Sequence, residues 1–88
     1  DWDHGFTLSE ILIAKGAAIP EYHLNVRDVL FIDSGNVVCS IEDETTILSA
    51  GDTITFPIGA RRSLRNAGDI EARIVAVRGS DREARIEW

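Results

Sequence analysis

Eighty-eight residues with 44 % hydrophobic side chains make one domain, residues 1–88, with enough apolar material for a core but a thin margin of burial over chain entropy. The formal charge of −6, from 15 acids against 9 bases, excludes a duplex nucleic-acid binder built on a concentrated basic stripe. No run approaches the ~20 apolar residues that span a bilayer, and no basic-then-apolar leader precedes Phe6, so neither membrane nor nucleic acid is expected as a partner.

Ile, Val and Thr fill 22 of the 88 positions, and no window of helical length carries a clean apolar stripe, which predicts an all-β chain. In chain order the strands are expected at 7–14, 21–26, 29–32, 36–41, 45–48, 53–56, 62–66, 71–77 and 83–88. Their close spacing suits an antiparallel sandwich or small barrel. In the first, Phe6, Leu8 and Glu10 share one face while Thr7, Ser9, Ile11 and Ile13 share the other. Gly35 follows Asp33 and Ser34 where a hairpin needs positive φ, and Gly68 is expected to act likewise before the eighth strand. The segment from Glu42 to Glu44 is a solvated hairpin tip. Pro57 ends a strand because it lacks an N–H, and Gly59 turns the chain back toward Arg62. Ile70, Ala72, Ile74 and Ala76 line one face of the eighth strand, with Val75 and Val77 opposite. Ala84, Ile86 and Trp88 repeat the alternation and favour an ordered last strand.

Cys39 is the one cysteine; without a partner for a disulfide or a CxxC pair it reads as a buried thiol in a reducing, cytoplasmic setting. Residues 1–52 carry ten acids and two bases, and residues 53–88 carry five acids and seven arginines. Those arginines meet either an anionic ligand or the acidic half of the same fold. In so small a domain a partner subunit over an apolar sheet face would add stability, which makes a homodimer the expected assembly.

Two glycine-bounded segments, Gly16 to Gly35 and Gly51 to Asn66, hold the most informative pattern. Their spacing resembles the two motifs of the cupin superfamily. The first runs Gly, five residues, His, one, His, three or four, Glu, six, Gly; Gly16, His23, Asn25, Asp28 and Gly35 fall at or one residue from those places. The second runs Gly, five, Pro, one, Gly, two, His, three, Asn; Gly51, Pro57, Gly59, Arg62 and Asn66 match it throughout, with arginine where the last histidine would be. The resemblance covers about 50 of the 88 residues. It implies a cupin-type double-stranded β-helix, a jelly-roll barrel, and a pocket near the barrel mouth where relatives hold a divalent metal with three histidines and a glutamate.

Carried over by position, the resemblance gives His23 for the first histidine, Asn25 for the second, Asp28 approximately for the glutamate and Arg62 for the third histidine. His23, Asn25 and Asp28 form a weak ligand set, and a guanidinium has no lone pair to donate, so no metal cofactor is expected. His4 would supply a missing ligand only if the amino-terminal segment crossed the mouth. Period two groups His23 with Asn25 and Arg62 with Leu64 and Asn66, and sends Arg61 and Arg65 away. Asp28 has the opposite parity to His23 and joins it only through a bend near Val26 and Arg27.

Arg62 then has two readings. It offers a planar set of donors to a carboxylate or phosphate, with His23, Tyr22 and Asn25 as polar contacts, or it pairs with Asp28 and closes a vestigial pocket. His23 is either a hydrogen-bonded structural residue or a general base oriented by Asp28. Tyr22, Phe31, Phe56 and Trp88 line a ligand site or fill core and interface, and Trp2 caps the barrel or reaches a partner subunit. The functional expectation is a degenerate cupin that binds a small anionic or polar metabolite, or serves as a structural module. The alternatives are a small isomerase, lyase or dioxygenase-like enzyme using His23 and Asp28, and an assembly or regulatory domain. The chain opens on Asp1, as a piece of a longer protein would, and an amino-terminal partner domain is compatible with it.

Overall fold

The computed structural model describes residues 6–79 and 86–87. Among the described residues nine strands form: β1 (Phe6–Ile13), β2 (Ala18–Leu24), β3 (Asp28–Ser34), β4 (Asn36–Ile41), β5 (Glu44–Ser49), β6 (Thr53–Phe56), β7 (Arg62–Asn66), β8 (Ala72–Gly79) and β9 (Ile86–Glu87). They build two antiparallel sheets, ordered β1-β8-β3-β6 and β5-β4-β7-β2-β9. Apart from the β4–β5 hairpin, each connection carries the chain from one sheet to the other. That alternation is the double-stranded β-helix, and the all-β expectation holds. Among the described residues no helix is long and apolar enough to cross a membrane.

The core lies between the sheets because each inward face is apolar at period two. Leu30 and Ile32 of β3, Ala72, Ile74 and Ala76 of β8, Val37 and Cys39 of β4, Leu64 and Phe56 form one buried cluster, and Ile13 and Leu48 close its edges. Ile70, expected on the same face as Ala72, instead lies outside the strand and exposed. Cys39 is buried as expected, and burial pushes its thiol up to about 11.

Several local expectations change. β2 starts three residues early and runs through Pro20, which sits where its register against β7 slips between Ile19 and Tyr22; a missing N–H is tolerated at such an irregularity. Gly35 does have positive φ, at 90°. It turns no hairpin, however, because β3 and β4 belong to different sheets. It is a crossing corner packed so tightly that an added Cβ would stand 2.8 Å from the Ala72 backbone. Gly68 is not among the positive-φ residues; its N–H is donated to Asn66 Oδ1 at 2.9 Å, and an added Cβ would meet Asn36 Nδ2 at 3.3 Å. The tip at Glu42 is more than solvated. Ile41 pairs with Glu44 across a two-residue turn in which Glu42 takes φ 53°, a position that favours glycine. Arg61 holds it there, donating its backbone N–H and its guanidinium to the Glu42 carboxylate at 2.9 to 3.1 Å. The last expected strand is described only at Ile86 and Glu87, paired with β2; Trp2, His4, Ala84 and Trp88 lie outside the described residues.

Candidate functional site

At one end of the barrel the two sheets bring charged residues into the core. β7 opens on Arg62, which stands opposite Tyr22 of β2 and Ile41 of β4 and so points inward with both. β3 opens on Asp28, opposite Phe56 of β6 and Arg78 of β8. Arg62 Nη1 donates to Asp28 Oδ2 at 2.6 Å with both side chains fully buried. Arg78 Nε lies 3.5 Å from Asp28 Oδ1, and the Arg78 side chain is 21 % exposed. The Arg62 guanidinium sits 3.9 Å from the centre of the Phe56 ring and 5.3 Å from that of Tyr22, so aromatic rings cover it.

The electrostatics follow from burial. Burial raises the Asp28 carboxyl above the usual range, against the pull of Arg78 and then Arg62. Burial also raises the Tyr22 phenol, opposed mainly by Arg62, which keeps it a neutral hydroxyl. The cluster holds two guanidinium charges and one carboxylate. Asp28 Oδ1, Arg62 Nε, Arg62 Nη2 and Arg78 Nε are buried with no hydrogen-bond partner among the described residues.

Of the residues expected to share this site, the structure brings together Tyr22, Asp28 and Arg62. His23 and Asn25 go elsewhere. β2 buries Tyr22 and Leu24 and leaves His23 half-buried on the other parity, with Asn25 half-buried in the bend that follows; His23 stands at the register position opposite Glu87 of β9. The ligand set of His23, Asn25 and Asp28 is therefore not assembled. The chain does bend after Leu24, and Asp28 then meets Arg62. A strict count from Gly16 gives the reason: five residues end at Glu21, so the two histidine places are Tyr22 and Leu24, and Asp28 and Gly35 then fall in place. Those residues share one parity with the buried face, a signal present in the sequence and masked by the chemistry of the neighbouring histidine. Arg78 carries no motif and emerges only from the β3–β8 register. Arg61 and Arg65 are exposed, as their parity predicts.

Asn66 proves structural. Its Nδ2 donates to Ile13 O at 2.9 Å and Ile70 O at 2.8 Å, fastening β1 and the β7–β8 corner. Phe56 is buried, whereas Phe31 lies on the outer face.

A divalent metal does not fit the residues at these places. Leu24 has no donor, Arg62 has no lone pair and a fixed positive charge, the Tyr22 phenol resists ionisation, and the Asp28 oxygen that faces inward is already held by Arg62. Among the described residues no group of three or more His, Cys, Asp or Glu is arranged to hold a metal ion.

Comparison with known proteins agrees with the architecture. A family model described as a cupin domain matches residues 9–78. An RmlC-like cupin from Shewanella frigidimarina superposes with a TM-score of 0.81 at 18 % identity, over 91 % of this chain and 70 % of its own. The cupin domain of Schizosaccharomyces pombe Cnp3 gives 0.80 at 16 %, over 92 % of this chain and 57 % of its own. An oxalate oxidase gives 0.86 at 20 %, over 96 % of this chain but 46 % of its own, so the chain spans about half of the latter two proteins. At such identities these likenesses speak for the fold alone. With the family model spanning most of its length and two sheets wound as that family winds them, this chain belongs to the cupins.

Proposed function

We propose that the chain is a cupin working without a bound metal, a binding module for a small polar or anionic metabolite in which Arg62 supplies the positive charge. The observation that carries this reading is the buried Arg62 guanidinium, which stands at the third-histidine place and commits Nη1 to Asp28 while Nε and Nη2 find no partner among the described residues. Buried donors in folded proteins are nearly always satisfied, so these two call for an acceptor beyond the described residues, and a bound anion would supply it. Cys39, buried and unpaired, suits a reducing compartment such as the cytoplasm.

The enzyme alternative has less support, since β2 turns His23 to the parity opposite the buried Tyr22 and Leu24, whereas Asp28 opens β3 buried against Arg62. The test is thermal unfolding against a panel of carboxylates, sugar acids, phosphates and neutral polyols. A true ligand at ~100 times its Kd adds about 2.7 kcal/mol, which in a domain of this size raises Tm on the order of 10–20 °C. No shift with any compound, or the same shift in Arg62→Lys, would overturn the reading.

A second reading concerns assembly, and one observation favours it. The outer face of the β1-β8-β3-β6 sheet presents Leu8 at 66 %, Leu12 at 52 % and Phe31 at 40 % exposure, with Val29, Val75 and Val77 between them by register. A second copy packed there would make the homodimer. Light scattering should then give twice the chain mass, and Phe31→Glu with Leu8→Glu should return it to one; a monomeric native protein would end this proposal.

A further inference from the structure

The donors left on Arg62 say more than that the ligand is anionic. Nη1 reaches Asp28 Oδ2, so the carboxylate lies at one corner of the guanidinium, and the two nitrogens without partners among the described residues, Nε and Nη2, form its side edge. Two parallel N–H groups on one edge match the two oxygens of a carboxylate. The Phe56 ring centre, 3.9 Å from Arg62 Cζ, covers a flat face of the guanidinium, and the Tyr22 ring stands 5.3 Å away.

Charge points the same way. Among the described residues Asp28 alone opposes Arg62 and Arg78, which leaves one positive charge over in a site where Arg62 and Asp28 are closed to solvent. One monoanion restores neutrality, whereas a phosphate dianion reverses the sign. Arg78 is the one of the three with solvent exposure, and its Nε faces Asp28 Oδ1 at 3.5 Å.

We propose that the Nε–Nη2 edge of Arg62 is the docking edge for a small monocarboxylate, with Asp28 as the fixed anion at the Nη1 corner and Arg78 as the second cation at the rim. The proposal rests on the binding-module reading above and names its ligand class. Asp28 thus holds the guanidinium in register without occupying the fork.

The experiment is a titration of the ¹⁵N-labelled chain with sodium acetate and sodium propionate, each against sodium chloride at equal ionic strength, then with sodium phosphate. The readout is the arginine Nε–Hε resonances, Arg62 being assigned by its disappearance in Arg62→Lys. The expected result is a saturable shift of the Arg62 Nε–Hε signal with either carboxylate and none with chloride. Arg78→Gln should weaken binding about two- to fivefold, the loss expected for one rim charge, and Arg62→Lys, which keeps the charge and loses the fork, should abolish it with the fold's backbone amide spectrum retained. A response to phosphate without a response to carboxylates would overturn the ligand class and leave the binding module standing. So would a neutral polyol that raises Tm without moving the Arg62 signal. Silence toward all of these probes would overturn both, and an equal response to chloride would reduce the effect to ionic strength.

Discussion

Replacing Arg62 by methionine removes the cation but keeps much of its apolar length, leaving Asp28 buried with Arg78 3.5 Å away. Two unit charges about 4 Å apart attract by about 4 kcal/mol at an effective dielectric of 20. Removing one partner of a buried pair typically costs about 3–5 kcal/mol, because the other is left without compensation. A loss of that size is a large part of the ~5–15 kcal/mol that holds a small domain together. The double replacement Arg62→Met with Asp28→Leu removes both charges and should recover most of it. Urea unfolding of the four proteins, read by tryptophan fluorescence, closes the cycle. Acidity adds a second signature. Burial already raises the Asp28 carboxyl in the native protein, and without Arg62 it rises further. A carboxyl whose folded pKa lies above the unfolded ~3.9 contributes its stability below that value and loses it as pH rises through the folded pKa. The single variant should therefore gain more than the native protein on acidification, and the difference between them should narrow. A single-variant loss under ~1 kcal/mol, or a double variant that loses the sum of its parts, would refute the idea that the pair organises this end of the barrel.

Gly35→Ala should destabilise by more than ~1 kcal/mol, since it combines φ of 90° with a Cβ 2.8 Å from the Ala72 backbone; an unchanged urea midpoint would contradict the crossing-corner geometry. Asn66→Ala strips hydrogen bonds from Ile13 O, Ile70 O and the Gly68 N–H and should cost at least ~2 kcal/mol, checked by the same unfolding curves, with hydrogen exchange rising first at Gly68. Cys39, with its thiol pushed up to about 11 and no exposure, should react with a thiol reagent at pH 8 only as fast as the domain unfolds; rapid modification of the native protein would show the core to be open there.

The second motif was legible residue by residue because Pro57, Gly59 and Asn66 each answer a backbone need: a strand end, a turn at φ 81°, a corner fastened by a side-chain amide. Hydrophobic alternation likewise placed Leu64, Ile74 and Ala76 inside. Pairing was not legible from turn chemistry. Gly35 with its polar neighbours looks like a hairpin, yet whether the strands it joins lie side by side depends on the barrel's winding, a property of contacts far apart in sequence. The site was half legible. Its reactive neighbour, His23, drew attention from Tyr22, although parity alone puts Tyr22, Leu24 and Asp28 together. Arg78 enters through the pairing of β3 with β8, which no local pattern announces.

The claim beneath the rest is that the Arg62–Asp28 pair stands where other cupins hold a metal. Elemental analysis of tag-free protein, incubated in turn with iron, manganese, nickel and zinc and then dialysed at length, tests it most directly. The account predicts no metal retained beyond that of a dialysed control protein; retention near one ion per chain would contradict it and show that a ligand set other than the one described completes the site.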